Sequence, residues 1–590
     1  MFQHPPEPAE ANAAIRQTPF VDHLQIGILA GAAILVPLAF HPRSTEPFLF
    51  YKAWLLGGLG LAAATLGLST RWLDRATWNG WPEGRLILLL LLWAGLSSLW
   101  AGNTYFTWLE LPLLAAPASL CIAARTVLTT PRRRRALFTC AAVAGVIVAC
   151  AAVVEVLGYP IIFREHGKIL ALFGYQNLFA QHLMITVGFT IGIMLLSGSR
   201  FVRGLLTLAV AVQLVALVMT MCRSAWLGLL IGWLVVVILI LRAGLPGRAS
   251  IRRMWPLAVT GMAAVVLTFV AVAIWGASST SYGPELLQLR LWGLVSRGTS
   301  GRLPIWSATW DMIKESPIHG MGFGNFALEY PRFVADNIEF VRYAHNDYLQ
   351  WTAELGVVGL VLLLALLAAA LKRSGRLMVS RDHATRVVEM VAMAVLVGVV
   401  VDAIFSYGFY QPVPLMYLFM TIGMVRALED EPARPSSRAA LHPAGLFFAV
   451  ALAALGAKFL CKNWASKDAH DTAIVARAKG DFDAALDMLE RWQTLALDDP
   501  RPFYFDGVLS YEARRWDRSE KALTKAAHMS PHIWQIHHYL AMVLYRNDDL
   551  DAAERHIEKA MALCKSVREV HITAELIRQR RAELFPQRKH

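Results

Sequence analysis

The sequence predicts an all-α fold in two parts. A polytopic membrane helical bundle of about thirteen spans comes first, and a soluble α-helical repeat domain follows it. Three observations carry this expectation. Of 590 residues, 56% are hydrophobic and only 17% charged, whereas an ordinary soluble protein carries about 25% charged residues. Runs such as LILLLLLWAGLSSLW (86–100) and AWLGLLIGWLVVVILILRAG (225–244) approach the roughly 20 apolar residues that cross a bilayer. In hydrocarbon the backbone must satisfy its own hydrogen bonds, so such runs are helices. Finally, beyond residue 462 the chain turns polar and begins to repeat.

The expected spans lie near 23–40, 48–68, 84–101, 107–123, 136–158, 176–197, 203–221, 224–242, 254–276, 350–371, 387–406, 411–427 and 442–461. This divides the chain into a tail at 1–22, a membrane domain at 23–462 and a repeat domain at 463–590. The tail lacks a basic stretch followed by a short apolar core, so no cleaved signal is expected and the first span targets the chain. Positive charge sets orientation. With the N-terminus in the cytoplasm, cytoplasmic segments hold 23 Lys and Arg residues, including Arg132–Arg135, Arg252 and Arg253. The short loops on the other side hold five: Arg43, Lys52, Arg164, Lys168 and Arg223. The loop at 277–349 and the repeat domain then face outward, away from the cytoplasm. A loop this long inside a compact domain is usually functional.

The net charge of +13 raises the question of nucleic acid. The arginines cluster in short inter-span loops, where topology accounts for them, so membrane lipid is the expected surrounding and nucleic acid is not a partner. The six cysteines are scattered, with no CxxC pair and no disulfide framework.

The tail repeats every 34 residues. Phe482, Trp516 and Leu550 share this spacing, as do Ala485, Ser519 and Ala553, and the pairs Leu509 with Val543 and Tyr511 with Tyr545. That helix–turn–helix period is the one of the tetratricopeptide repeat. No single unit can bury its own apolar face, so neighbours stack and leave a concave surface for a protein partner. The last stretch, VREVHITAELIRQRRAEL (567–584), reads as a cap. DFD at 481–483 has the look of a metal-binding DxD, but at a repeat turn Asp more simply starts a helix. The histidines of HIWQIHH (532–538) read as surface positions, and GMGFGN (320–325) reads as a tight turn. No HExxH, Walker or Rossmann pattern occurs, so neither a metal nor another cofactor is expected.

Four polar clusters converge on the outward side: GYQNLFAQHL (174–183), TMCRSAWLG (220–228), SGRLPIWSATWDMIKESPIHGMGFGNF (300–326) and RYAHNDYLQW (342–351). Arg223 sits in a tight turn between two apolar runs. It either anchors the interface or meets an anionic ligand. Arg302 just precedes a helical stretch. His345 lies five residues before an apolar run. Imidazole titrates near neutrality and can take a proton from a hydroxyl, although a lone loop histidine is more often structural. Glu354, placed inside the next span, needs an arginine or a polar group as partner.

RSAWLG, then GRLPIWSATWDMIKESPIHGMGFGNF, then AHNDYLQWTAELGVVGL, in this order around one large loop, resembles the O-antigen ligase and polymerase family of bacterial membrane proteins. The layout is similar over roughly residues 20–430, and the specific motifs lie in 174–183 and 220–360. The resemblance implies a membrane glycosyltransferase that moves a glycan from an undecaprenyl-diphosphate donor to a hydroxyl acceptor on the periplasmic side, without nucleotide sugar or metal. It implies functional roles for Arg223, Arg302 and His345. Arginine suits a diphosphate because its planar fork donates two parallel bonds. His345 would position or deprotonate the acceptor hydroxyl, and direct displacement would invert the anomeric carbon. Gln176, Asn177, Asn346 and Tyr348 are candidates for contacting substrate. The repeat tail departs from the core pattern of the lipid A ligases and leaves the acceptor open: a glycan, a lipid or a protein. A polysaccharide polymerase and a protein O-oligosaccharyltransferase use the same chemistry. A lipid-linked glycan transporter is the reading from another class, and it predicts ionisable residues near span midplanes or broken helices. An inert membrane part serving as a scaffold leaves the arginines and the histidine unexplained.

Overall fold

The computed structural model describes residues 8–70, 78, 80–156, 170–242, 301–334, 336, 341–377, 382–429 and 443–584. Among them every regular element is helical. The helices of the membrane part are α1 (Pro8–Leu38), α2 (Leu49–Leu68), α3 (Pro82–Leu96), α4 (Thr104–Val127), α5 (Pro131–Val156), α6 (Gln176–Leu196), α7 (Arg200–Met219), α8 (Arg223–Arg242), α9 (Leu303–Glu315), α10 (Phe326–Glu329), α11 (Asp347–Leu377), α12 (His383–Asp402), α13 (Pro412–Ala427) and α14 (Pro443–Ala478). The repeat helices are α15 (Phe482–Leu495), α16 (Pro500–Glu512), α17 (Trp516–Met529), α18 (Trp534–Arg546), α19 (Leu550–Leu563) and α20 (Arg568–Leu584). Eleven of the described helices are long and apolar enough to cross a membrane, and α13 is a shorter apolar helix. The protein is therefore a multi-pass membrane protein. The span expected at 254–276 lies outside the described residues; the other expected spans each fall on a helix.

Caps explain several helix starts. Asn103 accepts from Tyr105 N at 2.9 Å, and Asp382 accepts from Thr385 N at 2.7 Å. Each supplies an acceptor to a first-turn N–H that has no helical partner. The centre of the bundle is α13, where every residue from Pro412 to Val425 is buried. A helix that is apolar all round belongs at the core rather than at a boundary. Helices α8 and α12 cross at small residues. A Cβ added to Gly228 would stand 2.6 Å from the Gly398 carbonyl oxygen, and one added to Gly232 would stand 2.4 Å from that of Ala394. Membrane helices gain most of their attraction from such close backbone approach, because lipid is as apolar as their side chains. Around the perimeter Leu205, Leu208, Leu230, Leu234, Phe447 and Phe448 are exposed, as a lipid-facing surface requires.

The two ends of the bundle differ. One carries the arginine-rich connections, tied by Arg133 to Asp22 at 3.3 Å, Arg373 to Glu83 at 2.7 Å and Arg426 to Glu429 at 2.8 Å. The other end holds the connections at 39–48, 97–103, 220–222 and 403–411 together with α9 and α10. Lys52, expected in a loop at this end, is instead 2% exposed within α2, where its ammonium donates to the carbonyl of Ala39 at 2.9 Å.

One further expectation is met and another needs correction. Glu354 lies within the expected span, just before a break in α11 where Gly356 has φ 66°, and it has polar partners as expected. Its partners are the polar groups of the glycine turn: it accepts from Gly324 N at 2.8 Å, Phe326 N at 3.2 Å and the Tyr410 hydroxyl at 2.9 Å. The histidines of 532–538 are not all on the surface. His537 is 1% and His538 8% exposed. His538 shares a 3.0 Å hydrogen bond with the Thr573 hydroxyl, and His537 lies 3.0 Å from His556. Packing of α18 against α19 and α20 buries them.

The repeat domain is a stack of helix pairs in which the end of α14 packs on α15, α16 on α17 and α18 on α19, with α20 closing the stack; the second helices begin at Phe482, Trp516 and Leu550. Ala485, Ser519 and Ala553, the small residues of the 34-residue period, are each fully buried, because the paired helices meet there. Asp481 starts α15 by accepting from Ala484 N at 3.1 Å, which is the capping role and not a ligand role. The domain docks on the loop end of the bundle. Ser44 donates to Asp471 at 2.6 Å, and Asn103 donates to the Asp498 carbonyl at 3.1 Å. Asp336 accepts from Lys565 N at 3.0 Å. Helix α14 runs unbroken through residue 462 and carries the chain from the bundle into the first repeat.

Candidate functional site

Three elements converge at the loop end. The α7–α8 corner is a tight turn with Met221 in the left-handed region at φ 53°. The Trp226 indole locks it by donating to the Leu217 carbonyl at 3.0 Å. Arg223, the first residue of α8, is exposed at this corner. Arg302 caps α9, and its guanidinium donates to the Phe405 carbonyl at 2.7 Å. The Trp306 indole, one turn on, donates to the Ala344 carbonyl at 3.0 Å and ties α9 to the segment that carries His345.

His345 adopts φ 53°, a conformation uncommon for a side chain other than Gly, Asn or Asp. It is held from both sides. Ala344 N donates to the Gln350 side chain at 2.9 Å, and Asn346 accepts from Leu349 N at 3.1 Å as the cap of α11. The Tyr407 ring stands edge-on to the imidazole at 5.0 Å. His345 Nδ1 is buried without a hydrogen-bond partner among the described residues. Such strain persists where the surroundings over-determine it, and it clusters at functional sites.

Electrostatics join the three side chains. Burial first, and then the positive charge of Arg302, lower the pKa of His345 to about 4. Its imidazole is thus neutral at neutral pH. Burial also lowers the Arg302 guanidinium; the nearby Cys222 opposes this, and the charge of Arg223 adds to it. Two guanidinium groups within electrostatic reach of each other thus lie at this end, one of them also within reach of a neutral imidazole.

Beneath them lies a network that the sequence did not reveal. Asp402, 1% exposed at the end of α12, accepts from the Ser406 hydroxyl at 2.7 Å and from the Gln181 side chain. Gln181 also donates to Ser406 at 2.6 Å, and Ser224 bonds to Asp402. This buried side chain lies within electrostatic reach of Arg302. An acidic residue at the end of an apolar run was the available signal.

The weaker candidates fall differently. Tyr348 turns its hydroxyl away, donating to the Val400 carbonyl at 2.8 Å, and Asn346 is occupied as a cap. Gln176 and Asn177 lie half-buried in the first turn of α6. Their neighbour Tyr175 reaches the electrostatic environment of Tyr407.

Residues 208–364 match the family profile described as O-antigen ligase. That segment contains Arg223, Arg302, His345, Asn346 and Tyr348, and it ends before Asp402. No curated protein matches the chain. Among solved structures, one titled "Crystal structure of APC/C hetero-tetramer Cut9-Hcn1" is 13% identical, covering 87% of this chain and 99% of that one at a TM-score of 0.20.

Proposed function

We propose that this O-antigen ligase domain transfers a glycan from an undecaprenyl-diphosphate donor to a hydroxyl acceptor at the periplasmic end of the bundle. The chain thus acts as a membrane glycosyltransferase of the inner membrane. The supporting observation is the grouping of Arg223, Arg302 and His345 at one end, over the buried Asp402 network. Cleavage of the sugar–phosphate bond leaves charge on the diphosphate, and preorganised guanidinium groups stabilise that charge as it develops. The acceptor oxygen attacks the anomeric carbon from the side opposite the diphosphate. Its proton passes to His345, the C1–O bond to phosphate breaks, and undecaprenyl diphosphate leaves. Configuration inverts. Before the donor binds, Arg302 disfavours protonation of His345. A bound diphosphate neutralises that field and raises the basicity of the imidazole when a base is needed.

The test is transfer in nanodiscs from a synthetic undecaprenyl-diphosphate glycan. His345→Ala abolishes transfer while retaining fold and donor binding, and Arg223→Lys loses most of it because an ammonium lacks the fork. Normal transfer by a well-folded His345→Ala protein removes the base from this mechanism.

A further inference from the structure

Between the repeat domain and the loop end of the bundle lies a cavity of about 410 Å³. A neighbouring cavity of about 330 Å³ shares Glu110, Arg342, Tyr343, Tyr410, Arg501 and Phe505 with it. Both volumes fall in the range of small-molecule sites, roughly 300–1,000 Å³. The lining of the larger one comes from both domains. The membrane part contributes Phe106, Phe326, Tyr343 and Tyr410, and the repeats contribute Tyr504, Phe505 and Gln535.

The chemistry of this lining is selective. Flat aromatic faces alternate with hydrogen-bonding groups of both signs: Glu46, Glu110 and Glu354 against Arg342 and Arg501. An anionic lipid head demands an excess of positive charge, which is missing here. A hydrocarbon tail gains nothing from carboxylates and guanidinium groups. A saccharide matches both features: its C–H faces stack on aromatic rings, and its hydroxyls both donate and accept. Three polar groups make little use of the protein's own hydrogen-bond partners. Arg342 and Glu110 approach only to 3.9 Å, beyond hydrogen-bond distance. The Ser530 hydroxyl, on a residue 2% exposed, has no partner among the described residues.

The cavity also adjoins the site described above. Tyr343, in its wall, stacks face to face on Tyr407 with centroids 4.6 Å apart and planes 5° apart. Tyr407 in turn stands edge-on to His345. One aromatic pair therefore separates the cavity from the base.

We infer that this interdomain cleft is the acceptor site and that its ligand is a glycan, whose terminal sugar reaches past the Tyr343–Tyr407 pair to present a hydroxyl to His345. The assignment of the ligand as acceptor rests on the proposed transferase reading; saccharide binding in the cleft does not.

The test uses the full-length protein in nanodiscs and oligosaccharide released by mild acid from the envelope of the producing cell, with binding followed by titration calorimetry. Tyr504→Ala removes an aromatic face, and Gln535→Trp fills the space without removing a buried group. Each is expected to weaken oligosaccharide binding at least tenfold and to raise the acceptor KM, leaving the donor KM unchanged. His345→Ala is expected to bind oligosaccharide as the wild type does. Wild-type affinity in both cleft variants overturns the inference, as does a wild-type protein that binds donor but no oligosaccharide. A protein that binds oligosaccharide in the cleft but transfers nothing overturns the transferase reading and leaves the saccharide site standing.

Discussion

At the scale of single residues, burial tunes an imidazole. A histidine with its pKa lowered to about 4 binds fewer protons folded than unfolded between about pH 4 and its ordinary value near 6.5. Its contribution to stability is complete above pH 6.5 and is lost as pH falls toward 4. The kcat/KM of transfer reports the free enzyme, so its acid limb should fall near pH 4 to 5 and not near 6.5. A limb centred at 6.5 that vanishes in a His345 variant contradicts this. Asp402 should behave as a positioning residue. Asp402→Asn keeps the shape but alters the hydrogen bonds to Gln181, Ser224 and Ser406, and transfer should drop 10- to 100-fold, in the manner of other supporting-shell losses. Asp402→Ala also strands Gln181 and Ser406, and thermal melts should show a loss of about 3 kcal/mol. The sequence exposed Arg223, Arg302 and His345 because each interrupts or borders an apolar run. Asp402 likewise ends an apolar run, but its partner Gln181 is 221 residues away, so no spacing rule tied it to the site.

Among elements, helix existence was legible almost throughout, since apolar length alone specifies a membrane helix. Helix continuity was not. Glycine is common in membrane spans, so Gly356 gave no warning that α11 breaks there. The break has a steric cause: a Cβ at Gly356 would stand 2.0 Å from the Ile318 carbonyl oxygen, and one at Gly320 would stand 2.3 Å from the Glu354 backbone. The glycine turn and the broken helix fit together only without side chains. Gly356→Ala should cost about 2 kcal/mol or more from strain at positive φ plus the clash. Because the same turn feeds its N–H groups to Glu354, the Gln350–His345 segment should loosen with it, and hydrogen exchange around residues 341–350 should rise. Unchanged exchange and stability would refute that coupling. Likewise, the 34-residue period located the repeat helices, but period alone could not place His537 and His538 inside. Their burial depends on which face meets the next unit.

Taken whole, the molecule is a membrane bundle with a repeat domain seated on one end, joined by the 36-residue α14. The positive-charge bias and the convergence of polar clusters on one end were both readable from composition. The cleft between the parts was not, since it is lined by residues as distant as Glu46, Tyr343 and Gln535, and only the docking brings them together.

An unbroken α14 also acts as a drive shaft. Each residue of an α-helix advances the azimuth by roughly 100° and the height by about 1.5 Å. Inserting one alanine near residue 463 should swing the repeats out of alignment with Phe106 and Tyr343, whereas four alanines restore the angle at an offset of about 6 Å. Transfer should suffer more from one added residue than from four, a non-monotonic response that a flexible tether would never produce.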